Sequence, residues 1–335
     1  MVYGILAYAV VYMHTKSIEG AIDPYSLNLS SHILTEILHM LFSTVVPSFF
    51  ILWGYLSHKY LSDFDNSPFE YLKNKILHFW PIYIVFSGFY IANIVLRHDI
   101  NELLPLDTLI FSIIGFGNFF GSHIMVPLSL SLCVVFFLKF FKNNRNILIL
   151  YVGFVFIAGN FLPDQPTSKI LANLFFHLAF CIGILIKEFD LLSFNSKRFL
   201  TKFLCLVGIS IYILAVLGNN LFYTRFPNSY GHLLISISVL IIGYNLIHIF
   251  FLYIPIFFKQ VLCTIGNYAF AHMIIHIHVM NMFNTLGHVF LIHPVVIQVV
   301  SFTTTPIISI YIIFPVYNYF ESMIMDRIKN VSYKS

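Results

Sequence analysis

The sequence predicts an all-α, polytopic membrane protein of about ten transmembrane helices, with both termini in the cytoplasm. Three observations predict it. Of 335 residues, 59 % are hydrophobic and only 10 % are charged, and the mean hydropathy is +0.86. A soluble domain carries about a quarter charged residues, so this chain lacks the polar surface to sit in water. The apolar residues gather in runs near the ~20 residues that cross a ~30 Å hydrocarbon core. The basic residues are sorted to one side of those runs, as the positive-inside rule requires.

The runs lie at roughly 1–15, 33–56, 77–96, 123–140, 147–163, 170–187, 201–219, 231–256, 262–285 and 294–319. The stretch 106–122 is also apolar but contains Gly115, Gly117 and Gly121. It reads as a re-entrant or interfacial piece against the fourth span; as an eleventh span it would invert everything after it. Charge decides between the two. With ten spans, 14 of the 18 basic residues lie on the N-terminal side of the membrane, and only Lys16, Arg97, Lys169 and Arg225 lie on the other. An eleventh span would move the clusters Lys139–Arg145 and Lys187–Lys202 outside. The net charge of +4 is therefore mostly orientation, and no nucleic-acid partner is implied.

The whole of 1–335 reads as one transmembrane domain, without an internal repeat, a soluble linker or a cleavable signal peptide. Cys133, Cys181, Cys205 and Cys263 lie in or beside apolar runs and are expected to be small buried residues without disulfides.

An ionisable group inside a span is costly and marks a functional candidate. His14 lies about 20 Å along the first span at ~1.5 Å per residue. Glu36 is the acidic residue of a span interior and is three residues from His39. His177, His248, His272, His276 and His278 fall in later spans, and His272 and His276 are spaced to share one helix face. No HExxH, GxSxG, Walker A or GxGxxG pattern is present, and no metal is expected. The inner loop 57–76 leads into Lys73, Lys75, His78, Trp80 and Pro81. Lys75 and His78 share a face and could clamp a phosphate or simply anchor the helix at the interface.

Read together, these residues resemble the acyltransferase-3 family of integral-membrane enzymes that O-acylate surface carbohydrates and lipids. Gly4-Ile-Leu-Ala7 and Val10-Val11-Tyr12-Met13-His14 look like the family's first-span motif. Pro47-Ser-Phe-Phe50 through Gly54-Tyr55-Leu56 is similar to its second-span motif, and Lys75-Ile-Leu-His78 stands where the family has Arg-x-x-Arg. Ile265-Gly-Asn-Tyr268 with His276, and Tyr317 with Glu321, resemble the closing motifs. Tyr3 replaces a family arginine, Met125 a tryptophan and Ala269 a serine.

The resemblance implies a membrane O-acyltransferase of the bacterial inner membrane. It would move an acyl group from cytosolic acyl-CoA, with acetyl-CoA the first choice, to a hydroxyl of a surface or lipid-linked carbohydrate. Together with the ionisable residues read above, it points to catalytic roles for His14, with Glu36 as its partner, to a donor clamp at Lys75 and His78 with Lys73 beside them, and to an acceptor site at Tyr268, His272 and His276. His14 would act as a general base or carry the acyl group. The alternative is a non-enzymatic exporter or flippase of a polysaccharide or lipid-linked sugar on the same scaffold.

Overall fold

The computed structural model describes residues 1–7, 9, 44–62, 67–76, 122–140, 145–161, 168–192, 199–216, 230–269, 272, 283, 290, 294–316, 318–319 and 322–323. Among them the chain is helical, with turns and no strand. The long helices are α1 (Val45–Ser62), α2 (Ser122–Phe140), α3 (Arg145–Phe161), α4 (Ser168–Glu188), α5 (Phe199–Val216), α6 (Tyr230–Phe250), α7 (Ile256–Asn267) and α8 (Pro294–Ile308). Residues 2–7 and 68–76 are also helical. One stretch, Leu233–Tyr253, is long and apolar enough by itself to cross a membrane among the described residues.

α4 is the hub. It packs on α1, α2 and α3, while α6 packs on α1 and α5. The α1–α4 pair is parallel: Phe50 stacks on Phe176 at 5.3 Å, Trp53 tilts onto Phe180 at 4.6 Å, and His58 reaches Glu188. Glycine sets their separation. A Cβ on Gly54 would overlap the carbonyl oxygen of Phe180, and a Cβ on Gly183 would overlap that of Ile51. Such backbone contact is how helices associate where lipid supplies no hydrophobic drive.

Polar side chains tie the next layer. Ser48 Oγ donates to the Ser236 carbonyl at 3.4 Å, and Ser236 Oγ donates back to the Thr44 carbonyl at 3.2 Å. Ser238 Oγ is shared between the carbonyls of Leu234 at 3.0 Å and Leu204 at 2.9 Å, which joins α6 to α5. Asn245 Nδ2 donates to the Leu192 carbonyl at 2.9 Å, just past α4.

Helix direction collects the basic residues at one end. Lys59, Lys139 and Lys187 lie in the last turns of α1, α2 and α4, where a cation also meets the negative end of the helix dipole. Arg145 opens α3 and lies over the Phe189 ring at 5.6 Å. Phe189 is held there by the way α4 stops. Asp190 takes φ 50°, its N–H donates to the Lys187 carbonyl, and Leu191 N–H donates to the Ile186 carbonyl. This is a Schellman turn, and aspartate is among the few non-glycine residues that tolerate the left-handed position.

Several sequence expectations are corrected. The second span was expected to end at 56, with 57–76 an inner loop. Instead α1 runs on to Ser62 and 68–76 is helical, with Tyr71 buried in the core. Hydropathy marks where lipid contact ends, and a helix continues as long as its backbone bonds do. The junction of spans eight and nine was expected between 256 and 262. It lies at Pro255, which has no N–H to continue a helix, so α6 ends at Phe250 and α7 begins at Ile256. Cys181 and Cys205 are buried, but Cys133 and Cys263 are exposed on helix faces, and all four are free thiols.

Two glycine substitutions test the packing. Gly54→Ala should lower the thermal unfolding midpoint in detergent, at an overpacking cost of about 1–3 kcal/mol. Gly153 has nothing within 4 Å of its would-be Cβ. Gly153→Ala should therefore raise the midpoint, by the ~0.5–1 kcal/mol that alanine gains over glycine in a helix. Equal midpoints for the two variants would contradict the backbone contact.

Candidate functional site

His14, Glu36, His78 and His276 lie outside the described residues. Lys73, Lys75, Tyr268 and His272 lie within them, on two separate segments.

Lys73 is exposed and Lys75 half-buried on the helical segment 68–76. Lys75 Nζ stands 5.9 Å from the centroid of the Tyr71 ring, one turn earlier. Tyr71 is turned into the core, against which Tyr3 also packs. Tyr3 tilts onto Phe49 of α1 at 4.8 Å.

Tyr3 also leads to the second segment. Residues 2–7 run parallel to α7 in backbone contact: a Cβ on Gly4 would overlap the Leu262 carbonyl, and one on Gly266 would come within 3.3 Å of Tyr3 Cβ. Ala7, Ile265 and Ala269 form a small apolar cluster between them. One turn on, Tyr268 stacks on Phe314 at 4.2 Å and 20°, and Asn318 Nδ2 donates to the Tyr268 hydroxyl at 2.6 Å. His272 is fully buried, and its backbone N–H donates to the Tyr268 carbonyl at 2.9 Å. Phe314 and Asn318 follow a π-helical turn, Ser309–Ile313, just past Pro306. Such turns re-aim the residues after them and recur at functional sites.

Tyr3 thus packs on the core that holds Tyr71 and lies beside α7, just before Tyr268. The arrangement presents the ammoniums of Lys73 and Lys75 on one segment, and the hydroxyl of Tyr268 with the Phe314 ring and the Asn318 amide on the other.

Sequence reasoning missed two polar groups. The first is centred on His177 of α4, which is fully buried. Its Nδ1 is 3.3 Å from Ser131 Oγ on α2, and its Nε2 is 2.8 Å from the Tyr151 hydroxyl on α3. Cys181 Sγ is 3.8 Å from the same Nε2. Either neutral tautomer satisfies both ring nitrogens, one donating and one accepting. Cys181 is four residues after His177 and shares its helix face, which was a readable signal; Ser131 and Tyr151 are distant in sequence and gave none. The second is the pair of His58 Nε2 and Glu188 Oε2 at 2.7 Å, with Lys187 Nζ 5.0 Å from the Tyr55 ring centroid beside it. It needs α1 and α4 to be parallel neighbours, which no local pattern reveals. Among the described residues no three metal-ligating side chains come together.

The His177 group is a structural tie between three helices. Tyr151→Phe should cost about 1 kcal/mol in thermal unfolding, a typical hydrogen bond. His177→Leu should cost more, at about 1–3 kcal/mol, because it removes both ring hydrogen bonds, to Ser131 and to Tyr151. A His177→Leu variant of unchanged stability and lost activity would make this group part of the chemistry instead.

No protein-family model, curated protein or solved structure matches the chain.

Proposed function

We propose that the chain is a multi-pass membrane O-acyltransferase, with about ten spans and the basic end of the bundle in the cytoplasm. It moves an acyl group from acyl-CoA to a carbohydrate hydroxyl. The observation that carries the reading is the backbone contact of the first-span motif, at Gly4, with α7 just before Tyr268, together with the packing of Tyr3 on the core that includes Tyr71. It brings the first-span motif beside the segment that the resemblance assigns to the acceptor. Membrane embedding is supported by whole helix faces of exposed apolar residues, among them Leu150 (73 %), Phe154 (68 %) and Leu206 (64 %). A face of that size is an interaction surface, and on several helices at once it suits lipid.

In this reading acyl-CoA phosphates meet Lys73, Lys75 and His78 at the cytoplasmic mouth. Lysine holds a phosphate as a point charge, without the bidentate fork of arginine. His14 takes the proton of the acceptor hydroxyl as its oxygen attacks the thioester carbonyl; the carbon–sulfur bond breaks and the CoA thiolate leaves to be protonated. Glu36 orients the imidazole and stabilises its charged form. Tyr268, His272 and His276 position the acceptor, with the phenol of Tyr268 held by Asn318.

Purified protein incubated with labelled acetyl-CoA should consume thioester and place label on an added glycan acceptor or on the protein itself. His14→Ala should lose about 10²- to 10⁴-fold in rate, the usual cost of removing a general base, while remaining folded. Lys75→Glu with His78→Ala should weaken acyl-CoA binding measured by calorimetry. A wild-type protein that neither binds acyl-CoA nor consumes thioester would turn the reading to the exporter.

A further inference from the structure

α6 is 21 residues long, or about 31 Å at ~1.5 Å per residue, which already matches a ~30 Å hydrocarbon core. The chain nevertheless stays apolar through Phe251-Leu-Tyr-Ile-Pro-Ile-Phe-Phe258. It forms one 3₁₀ turn, Phe251–Tyr253, none of whose residues is buried, then bends at Pro255 into α7. Leu252 is 83 % exposed, Tyr253 80 %, Ile256 73 % and Phe257 65 %. A 3₁₀ turn has three residues per turn, so exposure of three successive residues is exposure on all sides. Lys259 then folds back, its Nζ 4.3 Å from the centroid of the Phe251 ring.

The place of this elbow is fixed. α6 runs parallel to α1, through Ser236 with Thr44 and Ser48, and Asn245 bonds Leu192 just past the end of α4. Phe250 therefore lies at the end of the bundle that carries Lys59, Lys139, Lys187 and Arg145.

We propose that the elbow 251–258 is an interfacial anchor. It is seated in the leaflet at the basic end, with its apolar side chains among the upper acyl chains and Lys259 among anionic headgroup phosphates. The inference rests on the membrane reading above and is independent of the acyl-transfer chemistry. Exposure on all sides suits a fluid surrounding better than a flat partner. The surface also continues the exposed Leu246, Ile249 and Phe250 of α6. The basic end complements an anionic leaflet, to which each Lys or Arg near the surface contributes about 1 kcal/mol.

The test is nitroxide labelling in vesicles. Cys133→Ser and Cys263→Ser remove the exposed thiols, and Leu252→Cys, Phe257→Cys and the α5 control Leu206→Cys are labelled one at a time. Collision with oxygen against collision with a water-soluble nickel chelate reports depth. In phosphatidylcholine vesicles with phosphatidylglycerol, labels at 252 and 257 should lie about 5–10 Å below the phosphates, the depth typical of interfacial helices. They should lie shallower in phosphatidylcholine alone, and Lys259→Glu should erase that difference. Nickel access at 252 and 257, with Leu206→Cys in lipid, would overturn the anchor alone. Nickel access at 206 as well would overturn the membrane reading and the anchor with it. Labels reached by neither reagent would show a protein partner on the elbow, and spin–spin broadening would show a second copy; either overturns the proposal. Equal depth in the two lipid mixtures would remove the anionic preference.

Discussion

The rest of the structure depends on α1 and α4 touching backbone to backbone. Gly54 and Gly183 each sit against a carbonyl of the other helix, Phe180 and Ile51 respectively. Parallel helices in that contact bring every later pair into register: Phe50 on Phe176, Trp53 on Phe180, Tyr55 beside Lys187, His58 on Glu188. α2 and α3 then meet α4 through the His177 hydrogen bonds, and α6 meets α1 through the Ser48–Ser236 exchange. In the membrane setting proposed for the bundle, apolar surface would gain little by moving from tails to protein, and close approach with satisfied polar groups would carry the association. The exposed His58–Glu188 pair adds little energy, about 0–1 kcal/mol; it reports the alignment more than it causes it.

The same contact sorts the charges. Because α1, α2 and α4 run in one direction, their terminal lysines share an end. Glu188 lies against His58, so the end of the sixth expected span and the end of the second are on the same side. That is the placement the count of basic residues expects for these two ends. The aromatic elbow after α6 belongs to this end as well.

The sequence reading succeeds and fails for physical reasons visible at particular residues. α2, α3 and α4 lie within two residues of their expected limits at both ends, because each apolar run is bounded by a charge or a turn: Lys139 and Arg145, Asn160 and Ser168, Lys187 and Asp190. α1 and α6 are misjudged by six residues at their C-terminal ends. At α1 a polar tail stays helical, and at α6 Pro255 ends a helix that hydropathy would continue. Tyr268 and His272 were singled out because a motif and an i, i+4 spacing pointed to that segment. Their partners Phe314 and Asn318 were not, since a π turn decides which face of the last helix meets Tyr268. The His177 group was half legible, from Cys181 one turn later; its other members come from two other helices. Tyr3 was marked only as a lost arginine, and its packing between the core and α7 is a tertiary fact.

The central claim is that this bundle lies in a membrane with its lysine-bearing end in the cytoplasm. Cysteines introduced one at a time into the Cys133→Ser, Cys263→Ser background, which keeps only the buried Cys181 and Cys205, test it most directly, probed in intact cells with a membrane-impermeant maleimide. Lys59→Cys and Lys139→Cys should stay unlabelled until the membrane is permeabilised, while Phe290→Cys, just before α8, should be labelled from outside. Labelling of Lys59→Cys in intact cells, with Phe290→Cys protected, would contradict the account.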